Sequence, residues 1–418
     1  MNLQNFKVNN EKLAALSVFL VLSLLLITKN FSVAVVSILL LVSLYSTIKA
    51  KNSITWDRGD VLVIICLSAY FLSNIPLFII DEWNFRYFKG ASRIILCIPI
   101  YFYLKYLVAT HKVYHKPLIF GTIFGSLGAF IIAYYQFGIK GMLRVDGFLF
   151  SINFGYLACA LSVLSLFLIK FGMHRFFLLI SFALASSATF MSLTRGAIII
   201  IPIALLTFIA LEYKRVGIKT VLAIALLSIG VIMTIYNNVD SFKERVEFSV
   251  QEAENIIRGN ITAAESSGGR LMLWKAATEA FKANPWIGLT YSQRDELNKE
   301  LEAKQVVNTW TTTVQRGHAH SQYFEQLASG GILGLIALTC MLLIPFVYFF
   351  RHRNRSNAAY VGVFFVMAIS ICCLTEVPLQ QNLISTFYGF MLALFFAVTQ
   401  QEIKNHKEAG NGQISSQG

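Results

Sequence analysis

Two histidines in the stretch Arg316-Gly317-His318-Ala319-His320-Ser321-Gln322-Tyr323 are the residues best suited to chemistry. The chain has 7 histidines. His111, His115, His174, His352 and His406 fall in segments that charge and hydropathy assign to one side of a membrane, and only His318 and His320 fall on the other. The proton affinity of histidine suits general-base work near neutral pH. The H-x-H spacing could also hold zinc, but a zinc site takes three or four ligands. On this side the sequence offers no third histidine and no cysteine, only scattered carboxylates, so no metal is expected. A pair of loop histidines with no role is the plain alternative. Of the two, His320 is the expected base. Ser321 and the run from Gln322 to Leu327 start a helix, whose N-terminus disfavours imidazolium. His318 and Arg316 are candidates for supporting it.

Cations and one carboxylate fall on the same side. Arg195, in Leu193-Thr194-Arg195-Gly196-Ala197, lies between two apolar runs. It either snorkels at a helix end or binds phosphate, to which guanidinium bonds in a bidentate fashion. Arg270 follows the turn-like Ser266-Ser267-Gly268-Gly269 and is expected to open an amphipathic helix running to about Ala283. Free helix-end N–H groups and an arginine together make an anion site, though a solvated surface arginine is the alternative. Arg144 sits two residues before Asp146 and either pairs with it or touches substrate. Glu376 ends an apolar run, and carboxylates at membrane depth are usually paired or functional. It could orient His320 or one of the arginines.

The elements that must position these residues are membrane helices. The 418 residues are 56% hydrophobic and 14% charged, with mean hydropathy +0.62. Soluble domains carry roughly 25% charged residues. Segments of the required length, about 20 apolar residues, predict an all-α polytopic membrane protein of about twelve spans: 11–28, 31–48, 60–80, 91–108, 117–137, 148–170, 175–194, 196–212, 216–236, 329–350, 357–375 and 381–400. Lysine and arginine concentrate in the loops around residues 49–58, 105–116, 170–175, 214–219 and 351–355. The other side's short loops and helix ends hold only Lys29, Arg86, Lys89, Arg93, Lys140, Arg144 and Arg195. The positive-inside rule therefore places both termini inside. The net charge of +13 reports this topology and contact with membrane lipids, not nucleic-acid binding.

The domains expected are 1–236, holding nine membrane helices; an outer loop domain, 237–328, mostly helical; three more membrane helices in 329–403; and an inner tail, 404–418. The loop should contain a charged helix from Asp240 to Ile257, and Asn284-Pro285 should stop the amphipathic helix. The six cysteines lie in apolar runs and form no CxxC pattern. The first apolar run lacks a small-residue cleavage site and is expected to be a retained helix. No Asp-x-Asp stands in the first outer loop, and Asp81-Glu82 in the second is a weak substitute. No glycine-rich phosphate loop is present either, which argues against nucleotide chemistry.

Three patterns in order resemble the O-antigen ligase and polymerase superfamily of bacterial membrane glycosyltransferases. They are Arg195-Gly196; Gly269-Arg270 with Trp274 and then Asn284-Pro285-Trp286-Ile287-Gly288; and His320-Ser321, nine residues, then Gly331-Ile332-Leu333-Gly334. Many relatives have Asn where this chain has Ser321. The resemblance implies metal-independent, inverting transfer of a glycan from undecaprenyl diphosphate to lipid A–core, in the periplasmic leaflet of the inner membrane and without a cofactor. It also implies that Arg195 and Arg270 hold the diphosphate, and its register selects His320 as the base that deprotonates the acceptor. An O-antigen polymerase is the nearest alternative, but polymerases often use two sizeable outer loops. A protein O-oligosaccharyltransferase is a third relative. A flippase for lipid-linked sugars would be expected to show mid-membrane charges and repeated halves, and neither is visible.

Overall fold

A computed structural model describes residues 3–49, 56–108, 114–261, 265–314 and 318–415. Arg316 and His111 lie outside the described residues. Every regular element among those residues is a helix. Nine of the helices are long and apolar enough to cross a membrane: Phe31–Lys49, Arg58–Ile80, Ala91–Val108, His115–Ile139, Ser151–Phe171, Arg195–Glu212, Gly331–His352, Asn357–Thr375 and Asn382–Glu408. The other three predicted spans fall on the helix Leu3–Ser23, the shorter Arg175–Met191, and the far half of a 39-residue helix, Ile200–Asn238. The break expected near residue 214 is only a kink. Gly217 alone leaves helical geometry, at φ 73° and ψ 150°, a conformation that glycine adopts without a Cβ penalty.

Asn382–Glu408, Ser151–Phe171 and Asn357–Thr375 are the most enclosed spans. Their side chains pack in layers, with Phe167 stacked on Phe364 at 3.5 Å and Phe365 on Tyr388 at 6.0 Å. Small hydroxyl residues join neighbouring helices. Ser165 Oγ lies 2.8 Å from Ser181 and 3.3 Å from Ser126, and Ser162 lies 2.7 Å from Ser186. Such groups suit helix contacts in lipid, where an unsatisfied hydroxyl is costly.

The two ends of the bundle carry different chemistry. At one end Asp57 caps the helix Arg58–Ser73, and Lys105 bridges Asp57 and Asp60 at 2.9 and 2.6 Å. Glu402 there accepts hydrogen bonds from Ser356 Oγ and the Ala358 N–H. Ser356 caps the start of the helix Asn357–Thr375, and Glu376 ends it. Nineteen helical residues span about 28 Å, so Glu376 and the segment 318–320 sit at the opposite end. Glu402 and the His318–His320 segment thus lie at opposite ends of the helix Asn357–Thr375.

The large loop holds the helices Asp240–Ile257, Glu265–Ala283 and Tyr291–Ala303, with the short Thr309–Thr313 and Gln322–Ala328 after them. The first has the predicted boundaries. The second corrects the sequence reading: Ser266-Ser267-Gly268-Gly269 is helical, not a turn, and Arg270 lies in the second turn. The reason is tertiary. Glu252 Oε1 accepts the N–H groups of Ser266 and Ser267 at 2.6 and 2.9 Å, and its Oε2 accepts Ser267 Oγ at 3.0 Å. A carboxylate from the neighbouring helix supplies the cap, and the glycines are kept for contact. A Cβ on Gly269 would come within 2.7 Å of the Trp310 ring.

Candidate active site

His320 is held by a glutamate from beyond the next two spans. Its Nδ1 lies 3.0 Å from Glu376 Oε2, and His318 Nε2 lies 3.7 Å from the other oxygen of the same carboxylate. The two imidazoles meet edge to face, 4.4 Å between centroids, and Trp310 lies over His320 at 6.4 Å. His318 is buried, whereas the His320 side chain is 21% exposed. Only His320 therefore combines the carboxylate contact with substantial access. Burial opposes ionisation of Glu376, but the His320 hydrogen bond, the two imidazoles and the Val377 N–H outweigh it and hold its carboxyl below the usual range.

The backbone around the histidines is fixed from several sides. The Ala319 N–H donates to Glu325 Oε2 at 2.9 Å, and the Ala319 carbonyl accepts Trp274 Nε1 at 3.0 Å. The Gln322 N–H donates to the Glu376 carbonyl at 3.0 Å. Glu325 in turn binds buried Arg294 at 2.9 Å. Burial disfavours its charge, but Arg294, His318 and the Ala319 N–H hold its carboxyl low. These contacts keep His320 in a left-handed conformation, φ 45°, which is uncommon for a residue with a Cβ.

Two glycines join the turn after Asn284-Pro285 to the start of the span at Gly331. Gly288 and Gly331 both have positive φ, 73° and 56°. A Cβ on Gly288 would lie 2.5 Å from the Ala328 carbonyl oxygen, and one on Gly331 would lie 2.4 Å from the Pro285 carbonyl oxygen. Their bareness lets the Leu289 N–H reach Ala328 and the Ile332 N–H reach Pro285, both at 2.8 Å.

The arginines gather nearby. Arg195 opens the short helix Arg195–Ile198 and donates to Glu252 at 2.6 Å, Ser266 at 2.9 Å and Ser249 at 3.1 Å. Arg144 donates to the Ser192 carbonyl at 3.1 Å, so it is tied to the segment that presents Arg195 instead of forming an ion pair with Asp146. Burial weakens its hold on the proton, Asp146 strengthens it, and the charges of Arg195 and Arg270 weaken it again. Arg270 is one helical turn before Trp274 and makes no ion pair among the described residues. Its helix N-terminus is occupied by Glu252, so any anion there binds through the guanidinium and not through free helix N–H groups.

One cation escaped the sequence reading. Arg245 lies on the helix Asp240–Ile257 with its guanidinium carbon 5.5 Å from the Phe248 ring, which Arg195 approaches at 5.8 Å from its own side. Burial and then the charges of Arg195 and Arg144, with Arg270 adding to them and Glu252 opposing, push its pKa down to about 10. Its signal was present, because Arg245, Ser249 and Glu252 share one face at i, i+4 and i+7. Arg144, Arg195, Arg245 and Arg270 together form a partly desolvated cationic site with Glu252 as its anion.

His318, His320 and Glu376 can each offer a ligand atom, all within 4.8 Å of one another. Glu376 thus supplies the third ligand that the sequence did not reveal, and ligand count alone does not exclude a metal. The His320 Nδ1–Glu376 contact at 3.0 Å is also the geometry of a carboxylate orienting an imidazole, which leaves the second ring nitrogen for substrate.

Residues 180–339 match the family model described as O-Antigen ligase. Over this segment the chain matches the O-antigen ligase family. The matched segment holds Arg195, Arg245, Arg270, Trp274, both histidines and both docking glycines, while Arg144 and Glu376 fall outside it. This family consists of glycosyltransferase-like enzymes of lipopolysaccharide synthesis. An uncharacterized protein of Haemophilus influenzae is 24% identical over 344 residues, which cover 80% of this chain and 84% of that protein.

Proposed function

We propose that this protein is an O-antigen ligase of the bacterial inner membrane. It would transfer a glycan from undecaprenyl diphosphate to a hydroxyl of lipid A–core, in the periplasmic leaflet, with both termini cytoplasmic. The observation that carries the reading is the oriented His320–Glu376 pair at the same end of the bundle as four arginines. Glu376 fixes the tautomer with a proton on Nδ1, leaving Nε2 to accept one. His320 takes the proton from the acceptor hydroxyl as its oxygen attacks the anomeric carbon. The bond from that carbon to the diphosphate breaks on the opposite face, so the configuration inverts. The leaving diphosphate keeps the electron pair, and Arg195, Arg270, Arg144 and Arg245 stabilise its charge. Its phosphates compete with Glu252 for Arg195. No metal is needed in this scheme.

The test uses purified protein, undecaprenyl-diphosphate glycan and lipid A–core, with EDTA, and His320→Ala alongside. Glycan-bearing lipid A, absent with the variant, is the expected result. Longer lipid-linked glycans with lipid A–core untouched would make the protein a polymerase. Lipid translocation without turnover would make it a flippase.

A further inference from the structure

Two cavities adjoin each other, the first reaching His318, and neither is lined by any of the four arginines. The first is polar, about 270 Å³, and ends at His318 and Glu325, with Asn74, Gln380 and Gln381 in its wall. The second is apolar, about 590 Å³, and is walled by Phe71, Phe78, Trp83, Phe85 and Phe88. Lys89 lines both, and Arg86 lines the first. The segment between them is built with care. Tyr87 stacks on Tyr291 of the large loop at 4.7 Å, Tyr87 Oη donates to Asp81 at 3.0 Å and accepts the Tyr291 N–H at 3.2 Å. Glu82 and Trp83 are consecutive left-handed residues, φ 49° and 64°, an uncommon conformation for a bulky aromatic. The Trp83 N–H donates to the Phe78 carbonyl at 2.9 Å and the two rings meet edge to face at 5.1 Å, which keeps Trp83 at the groove, 64% exposed.

We propose that these two cavities bind the acceptor as an anionic glycolipid. Its acyl chains lie in the aromatic groove, an anionic group at the junction of tail and glycan meets Lys89 and Arg86, and its sugars enter the polar cavity toward His318. The order apolar, cationic, polar matches the order tail, anion, glycan along such a lipid. Amide side chains are suited to sugar hydroxyls, and the Tyr291 ring carries the Arg86 guanidinium at 4.1 Å at the cavity wall. The donor's diphosphate has its own cations, so the two substrates approach the His320–Glu376 pair from different sites. This inference rests on the glycosyl-transfer reading, and it makes Lys89 and Arg86 determinants of acceptor binding and not of donor binding.

The experiment has two arms. In the first, a photo-crosslinking amino acid replaces Trp83 in the full-length protein, which is offered lipid A–core, undecaprenyl-diphosphate glycan and bulk phospholipid, each separately labelled. Preferential crosslinking of lipid A–core is expected. Crosslinking of the lipid-linked glycan, together with glycan polymerisation, would keep an acceptor site and remove the ligase reading. Crosslinking of phospholipid alone would overturn the site whatever the reaction is. In the second arm, Lys89→Ala and Arg86→Ala should each raise the acceptor KM by about tenfold, as loss of one charge-assisted contact does, with the donor KM little changed and Lys89→Arg restoring it. A rise in donor KM instead, or no change in either, overturns the proposal. Unchanged melting temperatures show that the variants fold.

Discussion

Glu376 Oε2 lies 3.0 Å from His320 Nδ1, although 56 residues and two membrane-spanning helices separate them. The contact orients the His320 imidazole without exposing the carboxylate. It predicts that His320→Ala lowers kcat by roughly 10²–10⁴-fold, the range for loss of a general base. Glu376→Gln keeps the shape but accepts less well, and should lower kcat with little change in either KM. His318→Ala should cost less than either, since His318 stands farther from the carboxylate. If His318→Ala abolishes turnover while His320→Ala retains it, the roles of the two histidines are exchanged.

The cationic site contains one residue that no motif announces. Arg245→Met should weaken the donor, raising its KM or lowering kcat/KM, and leave the acceptor KM unchanged. Arg195→Lys and Arg270→Lys keep charge but lose the planar fork, and each should lower kcat/KM for the donor by about tenfold or more. Initial rates at varied donor and fixed acceptor read these effects directly.

Acid should loosen the loop through Glu252. Burial opposes its charge, but Arg195 and the Ser266 and Ser267 groups hold its carboxyl below its ordinary 4.5. On acidification the unfolded chain takes up this proton first. The stability contributed is therefore complete above about pH 4.5 and is lost as the pH falls through the folded value. Melting temperatures of the wild type should drop over this window. Glu252→Gln should begin lower, by about 1–3 kcal/mol for a lost charged hydrogen-bond set, and fall less steeply. Glu325 and Glu376 shift in the same direction, so the slope shrinks without vanishing.

The glycine docking between the loop and the membrane span should be intolerant of a single methyl group. Gly331→Ala meets both a positive φ and the Pro285 carbonyl at 2.4 Å. Gly141 has φ 65° but no atom within 4 Å of its added Cβ. Gly141→Ala therefore measures backbone strain alone, about 1–3 kcal/mol, and Gly331→Ala should cost clearly more. Equal losses in melting temperature for the two would show that the contact yields freely.

The His318, His320 and Glu376 cluster makes metal dependence a measurable matter. Transfer should persist in EDTA, and added zinc should inhibit by occupying the base. Activity that disappears in EDTA and returns with zinc would reassign the three residues as ligands.

Helix positions were legible because lipid imposes length and apolarity, which a sequence displays directly. The boundaries of Asp240–Ile257 followed from its charge and periodicity. The helix at Glu265 did not, because its cap comes from Glu252 on another helix and local glycines read as a turn. Arg195, Arg270 and His320 were recognisable from motif and side. The choice of Glu376 as the partner of His320 was not, since sequence placed it near several cations without ranking them. Arg245 was hidden among the other charges of its helix, although its face contained the pattern.

The Glu376–His320 contact also sets an order in time. Every arginine of the cationic site and both histidines leave the ribosome before Glu376 does, and the span Asn357–Thr375 must be inserted before that carboxylate can reach its partner. A nascent chain can thus bring the four arginines together while the His320 imidazole is still unoriented. The His320–Glu376 pair is therefore complete only once the late helices are in place.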